Sequence, residues 1–424
     1  MKHIYKTITF LAMVWMITGI STCRSIAHKT HTKIHNTIEQ KCIASNLKSA
    51  IKKGDYSKVK ELFNKYDAHK HKSIANTKIK LWQDIGSTDN YMQESILYFA
   101  IFCRNEDKGN NKDTYLKIIE FLLQQGADPN VPRKFLMVIP SQCIDTYPLT
   151  IATRAGDKSV VKLLLAHGVN INNLDDSYAS AYSSALHVAM RDGNIPILML
   201  LLDCKDIDVN QLVRKGRLPL QAGIFGYEFR RDSNSLEAVR LLLKHESIDV
   251  NNKDDTFEKN TSLGLAVDRG LIDIVKILLE HPNIYLEPKN SYGRTPLAEA
   301  VRRNYVEIVA LLLNHGANPE GITTKSNTFF PKLGSVKRNK EIEELLEKAK
   351  QNQKKTKAFK YIFDPIHVTK EDGICSICHT GLVDASEYKH AIALKCKHKF
   401  HLDCISQWIK PSTETCPLCR AKIE

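Results

Sequence analysis

The chain has little of what would let it cross a membrane, staple itself with disulfides or carry out nucleophilic catalysis. Apart from one apolar run, Thr7 to Ile20, no stretch is apolar enough to span a bilayer, which takes about 20 residues. Cysteine is sparse ahead of the last fifty residues. Cys42, Cys103, Cys143 and Cys204 are scattered without a framework and read as ordinary thiols. Acid is scarce at the N-terminal end, where residues 1–80 hold 4 Asp and Glu against 16 Lys and Arg. Most of the formal net charge of +14 is therefore there. Such an end could meet an anionic membrane or nucleic acid. Its lysines, however, have neither interleaved aromatics nor a nucleic-acid motif, so a solvated face is the reading and nucleic acid is not expected as a partner. Between residues 43 and 349 nothing has the spacing of a catalytic triad, a phosphate-binding loop or an acid/base pair.

What is present is concentrated at the C-terminal end. Six of the 11 cysteines stand there with two histidines: Cys375, Cys378, Cys396, His398, His401, Cys404, Cys416 and Cys419. Two pairs have CxxC spacing, and C-x-H-x-x-H-x-x-C runs between them. Thiolate sulfur and imidazole nitrogen are the ligands of structural zinc, four to a tetrahedron. Eight ligands suggest two closed sites, with no position left for a reactive water. A segment this short cannot bury enough apolar surface to fold alone. Bound zinc, worth about 10–16 kcal/mol in small domains, would supply the difference. Disulfides would account for the cysteines but not for His398 and His401.

The stretches CSIC, LKCKHKFHLDCISQWI and CPLCR, with gaps of 17 residues after Cys378 and 11 after Cys404, resemble the RING finger of ubiquitin ligases in its two-histidine form. A PHD finger normally has cysteine where His398 stands. The resemblance implies two Zn2+ in a cross-braced arrangement. Cys375, Cys378, His401 and Cys404 would hold the first zinc; Cys396, His398, Cys416 and Cys419 would hold the second. It also implies that Ile377, Trp408 and Pro417 form a shallow groove for a ubiquitin-conjugating enzyme. Trp408 also shares an apolar helix face with Ile405 and Ile409. Arg420, directly after the last ligand, matches the arginine that hydrogen-bonds both ubiquitin and the conjugating enzyme and so positions the thioester. No covalent ubiquitin intermediate on the ligase is implied.

From about residue 43 to 349 the chain repeats. PLTIATRAGDKSVVKLLLAHGVNIN, from Pro148, and TPLAEAVRRNYVEIVALLLNHGANPEG, from Thr295, are the clearest units. The alanines Ala152, Ala189, Ala222, Ala266 and Ala300 stand 37, 33, 44 and 34 residues apart. Periods near 33 with a TPLHxA-like opening resemble ankyrin repeats. Each unit reads as two short helices: a small residue where helices approach closely, and leucines buried against the next unit. Gly168 and Gly316 read as C-terminal caps. His187, the histidine of TPLHxA, reads as structural, and His167, His245, His281 and His315 fall at helix ends. Seven units and a final capping half-unit are expected, with residues 67–94 a long insertion or loop. Ankyrin stacks bind proteins along their concave side, which implies a protein substrate held there.

The N-terminus reads as a signal peptide or N-terminal anchor over residues 1–22, with Lys2 and Lys6 ahead of the apolar run and small residues after it. Cys23 faintly matches a lipoprotein cleavage box. Export conflicts with a RING, whose thiols and partners belong to a reducing compartment. One resolution is a bacterial protein delivered into a host cell; the alternative is a cytoplasmic protein. Membrane contact is expected only through this end.

The expected fold is mainly α, an ankyrin-repeat solenoid (43–349) followed, after a basic linker (350–370), by a small zinc-bound α+β RING domain (371–424). The expected function is RING-type ubiquitin-protein ligase, with a target held by the repeats. The alternative is a non-catalytic interaction scaffold.

Overall fold

The computed structural model describes residues 42–82, 91–109, 111–136, 144–175, 184–213, 216–256, 258–322, 335–362, 391–393 and 399–401. Residues 1–22, expected as a signal peptide or anchor, lie outside the described residues, as do Cys23 and Cys143. The chain divides into two compact units, residues 1–293 and 294–424. No described helix is long and apolar enough to cross a membrane.

The first unit is a succession of antiparallel helix pairs. They are α1 (42–52) with α2 (Tyr56–Asn64), and α4 (Ile96–Glu106) with α5 (Lys112–Gln124). Next come α6 (Pro148–Arg154) with α7 (Lys158–Ala166), and α8 (Ala185–Asp192) with α9 (Ile195–Leu202). The last are α10 (Pro219–Arg230) with α11 (Ser233–Leu243), and α12 (Ser262–Asp268) with α13 (Ile272–Leu279). A lone helix, α3 (Ala68–Ala75), follows the first pair.

The two members of a pair differ in pattern, and the difference assigns their layers. In α8 every residue from Ala185 to Met190 is buried, so this helix is covered all round. In α7 only Val160, Val161 and Leu164 are buried, one stripe at helical spacing. First helices pack on first helices and second helices on second helices, which gives two layers. From α4 on, each first helix is started by a residue in extended conformation. Ser95, Ser184 and Thr261 each accept a hydrogen bond from the backbone N–H three residues on, a cap that stabilises by about 1 kcal/mol. The turn to the second helix needs a left-handed residue. Gly156 (φ 70°) and Gly193 (φ 61°) supply it without strain. In the long pair α10–α11 the same conformation falls on Arg231 (φ 53°).

The register of the α10 unit differs from the sequence expectation. Ala152, Ala189 and Ala266 each stand five residues after the N-cap, but in α10 that position is Gly223, not Ala222. The reason is steric. A Cβ on Gly223 would come within 2.6 Å of the Met190 side chain. Met190 is longer than Thr153, Val267 and Val301, which hold the same position in other repeats, and glycine makes room for it.

Asparagine side chains tie each unit to the next. Asn172 Nδ2 donates to Asp206 O (2.7 Å) while its Oδ1 accepts from Asp208 N (2.9 Å). Asn210 bridges in the same way to Ser247 O (2.6 Å) and Asp249 N (2.9 Å). Asn130 and Asn251 repeat the pattern.

Of residues 67–94, expected as an insertion or loop, the described ones form α3 and most of an antiparallel strand pair, β1 (Lys78–Trp82) and β2 (Tyr91–Ser95). This pair extends into an antiparallel sheet, β1-β2-β3-β4, by pairing with β3 (Arg133–Leu136), itself paired to β4 (Ile144–Thr146). The register lines up Leu81, Met92, Phe135 and Ile144 in one row, and Lys80, Gln93, Lys134 and Asp145 in the next.

The second unit opens with a seventh pair, α14 (Pro296–Arg303) and α15 (Val306–Asn314), followed by α16 (Ser335–Ile362). Ile342 and Leu346 of α16 are buried, and Gln353 Nε2 donates to Ala317 O, 3.3 Å. The helix runs on without a break through residue 350, so the first part of the expected basic linker is a charged extension of this helix. Two short strands, β5 (Ala391–Ala393) and β6 (Lys399–His401), complete the described residues.

Candidate functional site

The C-terminal ligands are described in part. β5 and β6 pair antiparallel, with Ala391 opposite His401 and Ala393 opposite Lys399. His401 therefore ends β6, and Cys396 and His398 belong to the connection, residues 394–398. That connection lies outside the described residues, together with Cys375, Cys378, Cys404, Cys416 and Cys419. Ile377, Ile405, Trp408, Ile409, Pro417 and Arg420 lie outside them too. The donor set itself, six thiols and two imidazoles in CxxC and CxH spacing, fits zinc. Among the described residues no group of three or more His, Cys, Asp or Glu could hold a metal.

The histidines of the repeats prove to be hydrogen-bonded structure. His167 Nδ1 donates to Leu163 O (2.9 Å) and His315 Nδ1 to Leu311 O (2.8 Å), each satisfying a carbonyl at a helix end. His187 is fully buried. Its Nε2 donates to Arg217 O (3.0 Å), and its Nδ1 accepts from the Ser184 hydroxyl (2.6 Å), which assigns the tautomer. Burial pushes its pKa down from 6.5 to about 4, so the ring is neutral at pH 7.

The residue that His187 holds leads to a second candidate site. Arg217 directly precedes Leu218, the N-cap of α10, and its guanidinium carbon stands 3.7 Å from the centroid of the Phe225 ring, a stacked contact. Arg269, from the end of α12, stands 5.4 Å from the same centroid. Arg269 pairs with Glu228 (3.2 Å) and Asp268 (3.5 Å). Among the described residues the Arg217 guanidinium makes neither an ion pair nor a hydrogen bond. Arg133 provides an internal comparison. Its guanidinium lies over Tyr98 (5.7 Å) and Phe102 (5.4 Å), and the buried Glu94 carboxylate is 3.5 Å away. Burial raises the Glu94 pKa to about 6, against the pull of Arg133 and Lys48. The Arg217 arrangement was not read from sequence, although a signal existed. Seven residues after the N-cap, α6, α8 and α14 carry Arg154, Arg191 and Arg302, whereas α10 carries Phe225. Counting from Ala222 rather than Gly223 hides that exchange.

With this geometry in place, a family model described as "Ankyrin repeats" matches residues 109–213, 149–254 and 229–322, together about half of the 424 residues. The chain is an ankyrin-repeat protein. A second model, described as "Ring finger domain", matches residues 373–420 of this ankyrin-repeat protein and takes in all eight candidate ligands. The RING finger is a zinc-binding domain, so the C-terminal module is a zinc module. Similar proteins fall into two groups. Alpha-latrotoxin-Lg1a of Latrodectus geometricus is 32% identical over 142 residues, 33% of this chain and 9% of the toxin. The E3 ubiquitin-protein ligase RNF181 homolog of Drosophila melanogaster is 38% identical over 65 residues, 14% of this chain and 42% of that protein. RING-H2 finger protein ATL60 of Arabidopsis thaliana is 45% identical over 51 residues, 12% of this chain and 16% of that protein. The chain thus spans less than half the length of these relatives. A solved ankyrin repeat domain from Acinetobacter baumannii AYE is 29% identical, covering 48% of this chain and 98% of its own, at a TM-score of 0.39.

Proposed function

We propose that this ankyrin-repeat protein is a RING-type ubiquitin-protein ligase. The repeats hold a protein target, and the RING recruits a conjugating enzyme charged with ubiquitin. The observation that carries the reading is the order of the eight ligands together with Ile377, Trp408, Pro417 and Arg420 inside the matched RING segment. Cys375, Cys378, His401 and Cys404 would hold one zinc, and Cys396, His398, Cys416 and Cys419 a second. Zinc supplies folding energy to the module and takes no part in bond making. Ile377, Trp408 and Pro417 dock the conjugating enzyme, and Arg420 fixes the ubiquitin thioester in one pose. The ε-amine of a target lysine attacks the thioester carbonyl. An isopeptide bond forms, and the thiol of the conjugating enzyme leaves. Joining the two arms in one chain raises the concentration of the thioester around the target.

The test is a reconstituted assay with ubiquitin, activating enzyme, ATP and a panel of conjugating enzymes. Chain formation is expected with at least one of them. Cys375→Ala abolishes it with loss of bound zinc, whereas Arg420→Ala lowers it by at least about tenfold with zinc retained. Absence of chains with every conjugating enzyme overturns the ligase reading and leaves an interaction scaffold. From Lys2, Lys6 and the apolar run Thr7 to Ile20, we propose that residues 1–22 are an export signal, with a host cell as the destination.

A further inference from the structure

We infer that the face where the Arg217 loop meets α10 and α12 is a docking site for an acidic segment of a partner protein, with a partner carboxylate on the Arg217 guanidinium. The inference rests on the reading of the repeats as the arm that holds a protein target, and it names the chemistry that arm recognises. Arg217 is fixed at both ends. Its backbone carbonyl accepts a hydrogen bond from buried His187 (3.0 Å), and its guanidinium is stacked at 3.7 Å on Phe225. Stacking uses the faces of a guanidinium and leaves its in-plane N–H groups for an acceptor. The flexible part of an arginine is thus ordered before anything binds, which removes a cost that binding would otherwise carry.

What the site lacks is the acceptor. Arg133 lies over two aromatic rings in the same unit, and there the fold supplies the carboxylate of Glu94 at 3.5 Å. Arg269 shares the Phe225 ring and has Glu228 and Asp268. For Arg217 no described residue supplies a carboxylate. Leu212, five residues before it and exposed, adds apolar surface. A carboxylate fits better than a nucleic acid backbone. Glu228 and Asp268 flank the face and would repel a continuous line of phosphates, whereas one acidic side chain can be accommodated between them.

The experiment selects twelve-residue peptides from a phage-displayed random library on the full-length protein. Enriched sequences are then synthesised and measured by fluorescence anisotropy. Enrichment of Asp or Glu is expected. Replacing that residue by Asn or Gln in the peptide, and Arg217→Gln in the protein, should each weaken binding about tenfold or more. Together they should weaken it little more than either alone, because both remove the same contact. Phe225→Leu, which keeps an apolar side chain but no aromatic face, should weaken the same peptides by less. Circular dichroism of each variant monitors folding, and Arg217→Lys retains charge without the planar fork and should fall between. No enriched peptide, enrichment without acidic residues, additive effects of the two changes, or tighter binding to a single-stranded DNA oligonucleotide would each overturn the inference. Binding is read without ubiquitin transfer. Acidic peptides that bind through Arg217 to a protein inactive with every conjugating enzyme would refute the ligase reading alone.

Discussion

At position 187 a histidine is fully buried between two repeats, and the charge it declines to carry has a thermodynamic consequence. The unfolded chain takes up a proton there near pH 6.5, the folded chain only near pH 4. Between those values the unfolded state binds more protons. The stability that depends on a neutral His187 is therefore complete above pH 6.5 and is lost as the pH falls toward 4, on the order of 3 kcal/mol in all. Glu94 acts in the opposite sense. Its carboxyl, raised to about 6 by burial, is protonated in the folded state first, so the fold gains stability as the pH falls through that range. Only a comparison of variants separates the two. His187→Gln should be less stable than the parent at pH 7 by urea unfolding, and the gap should narrow by pH 4.5; a gap that does not change with pH would exclude the assignment. The structural role of His187 was legible from its place in a TPLHxA-like opening. Its grip on Arg217 was not, because that partner lies 30 residues away in the next unit.

Helices and turns were the most legible elements, since leucine spacing, caps and glycines are local signals. The sheet β1-β2-β3-β4 was not, because its strands are short and three separate segments must meet before any of them has a partner. The asparagine bridges were half legible. Asparagine is a common turn residue, which is a local signal, but the bonds that matter cross from one unit to the next. In a stack whose units contact only their neighbours, such bonds act on the coupling between units. Asn210→Ala removes a donor to Ser247 O and an acceptor for Asp249 N, with an expected cost of roughly 1–3 kcal/mol. Asn252→Ala is the control, with no side-chain bridge and an expected effect within about 0.5 kcal/mol. In thermal unfolding the first should lower and broaden the transition, and hydrogen exchange should quicken first around Asp249. Equal effects of the two substitutions would mean that the bridges contribute nothing to coupling.

For the molecule as a whole, the zinc ligands were the clearest signal in the sequence, because a donor set depends on residue type and spacing rather than on tertiary packing. On the proposals made above, the partner and the compartment would be encoded differently: the first in three-dimensional juxtapositions such as Arg217 on Phe225, the second in the apolar run and flanking lysines of residues 1–22. The proposed export and the proposed chemistry make opposite demands on the C-terminal thiols. An oxidising compartment favours disulfides among the six cysteines, whereas a RING needs them reduced and on zinc. A protein that crosses from one reducing cytoplasm to another meets both demands if it is unfolded during transit and binds zinc on arrival. This yields a prediction in two parts. Residues 1–40 fused to alkaline phosphatase, which is active only after export, should give an active reporter in bacteria, and deletion of residues 1–22 should abolish that activity. The protein made without residues 1–22 and kept reduced should bind zinc and show the proposed ligase activity, because those residues have no part in either. A fusion that stays in the bacterial cytoplasm would remove the export reading and return the protein to the cytoplasm in which it is made; it would leave the zinc module and its chemistry untouched.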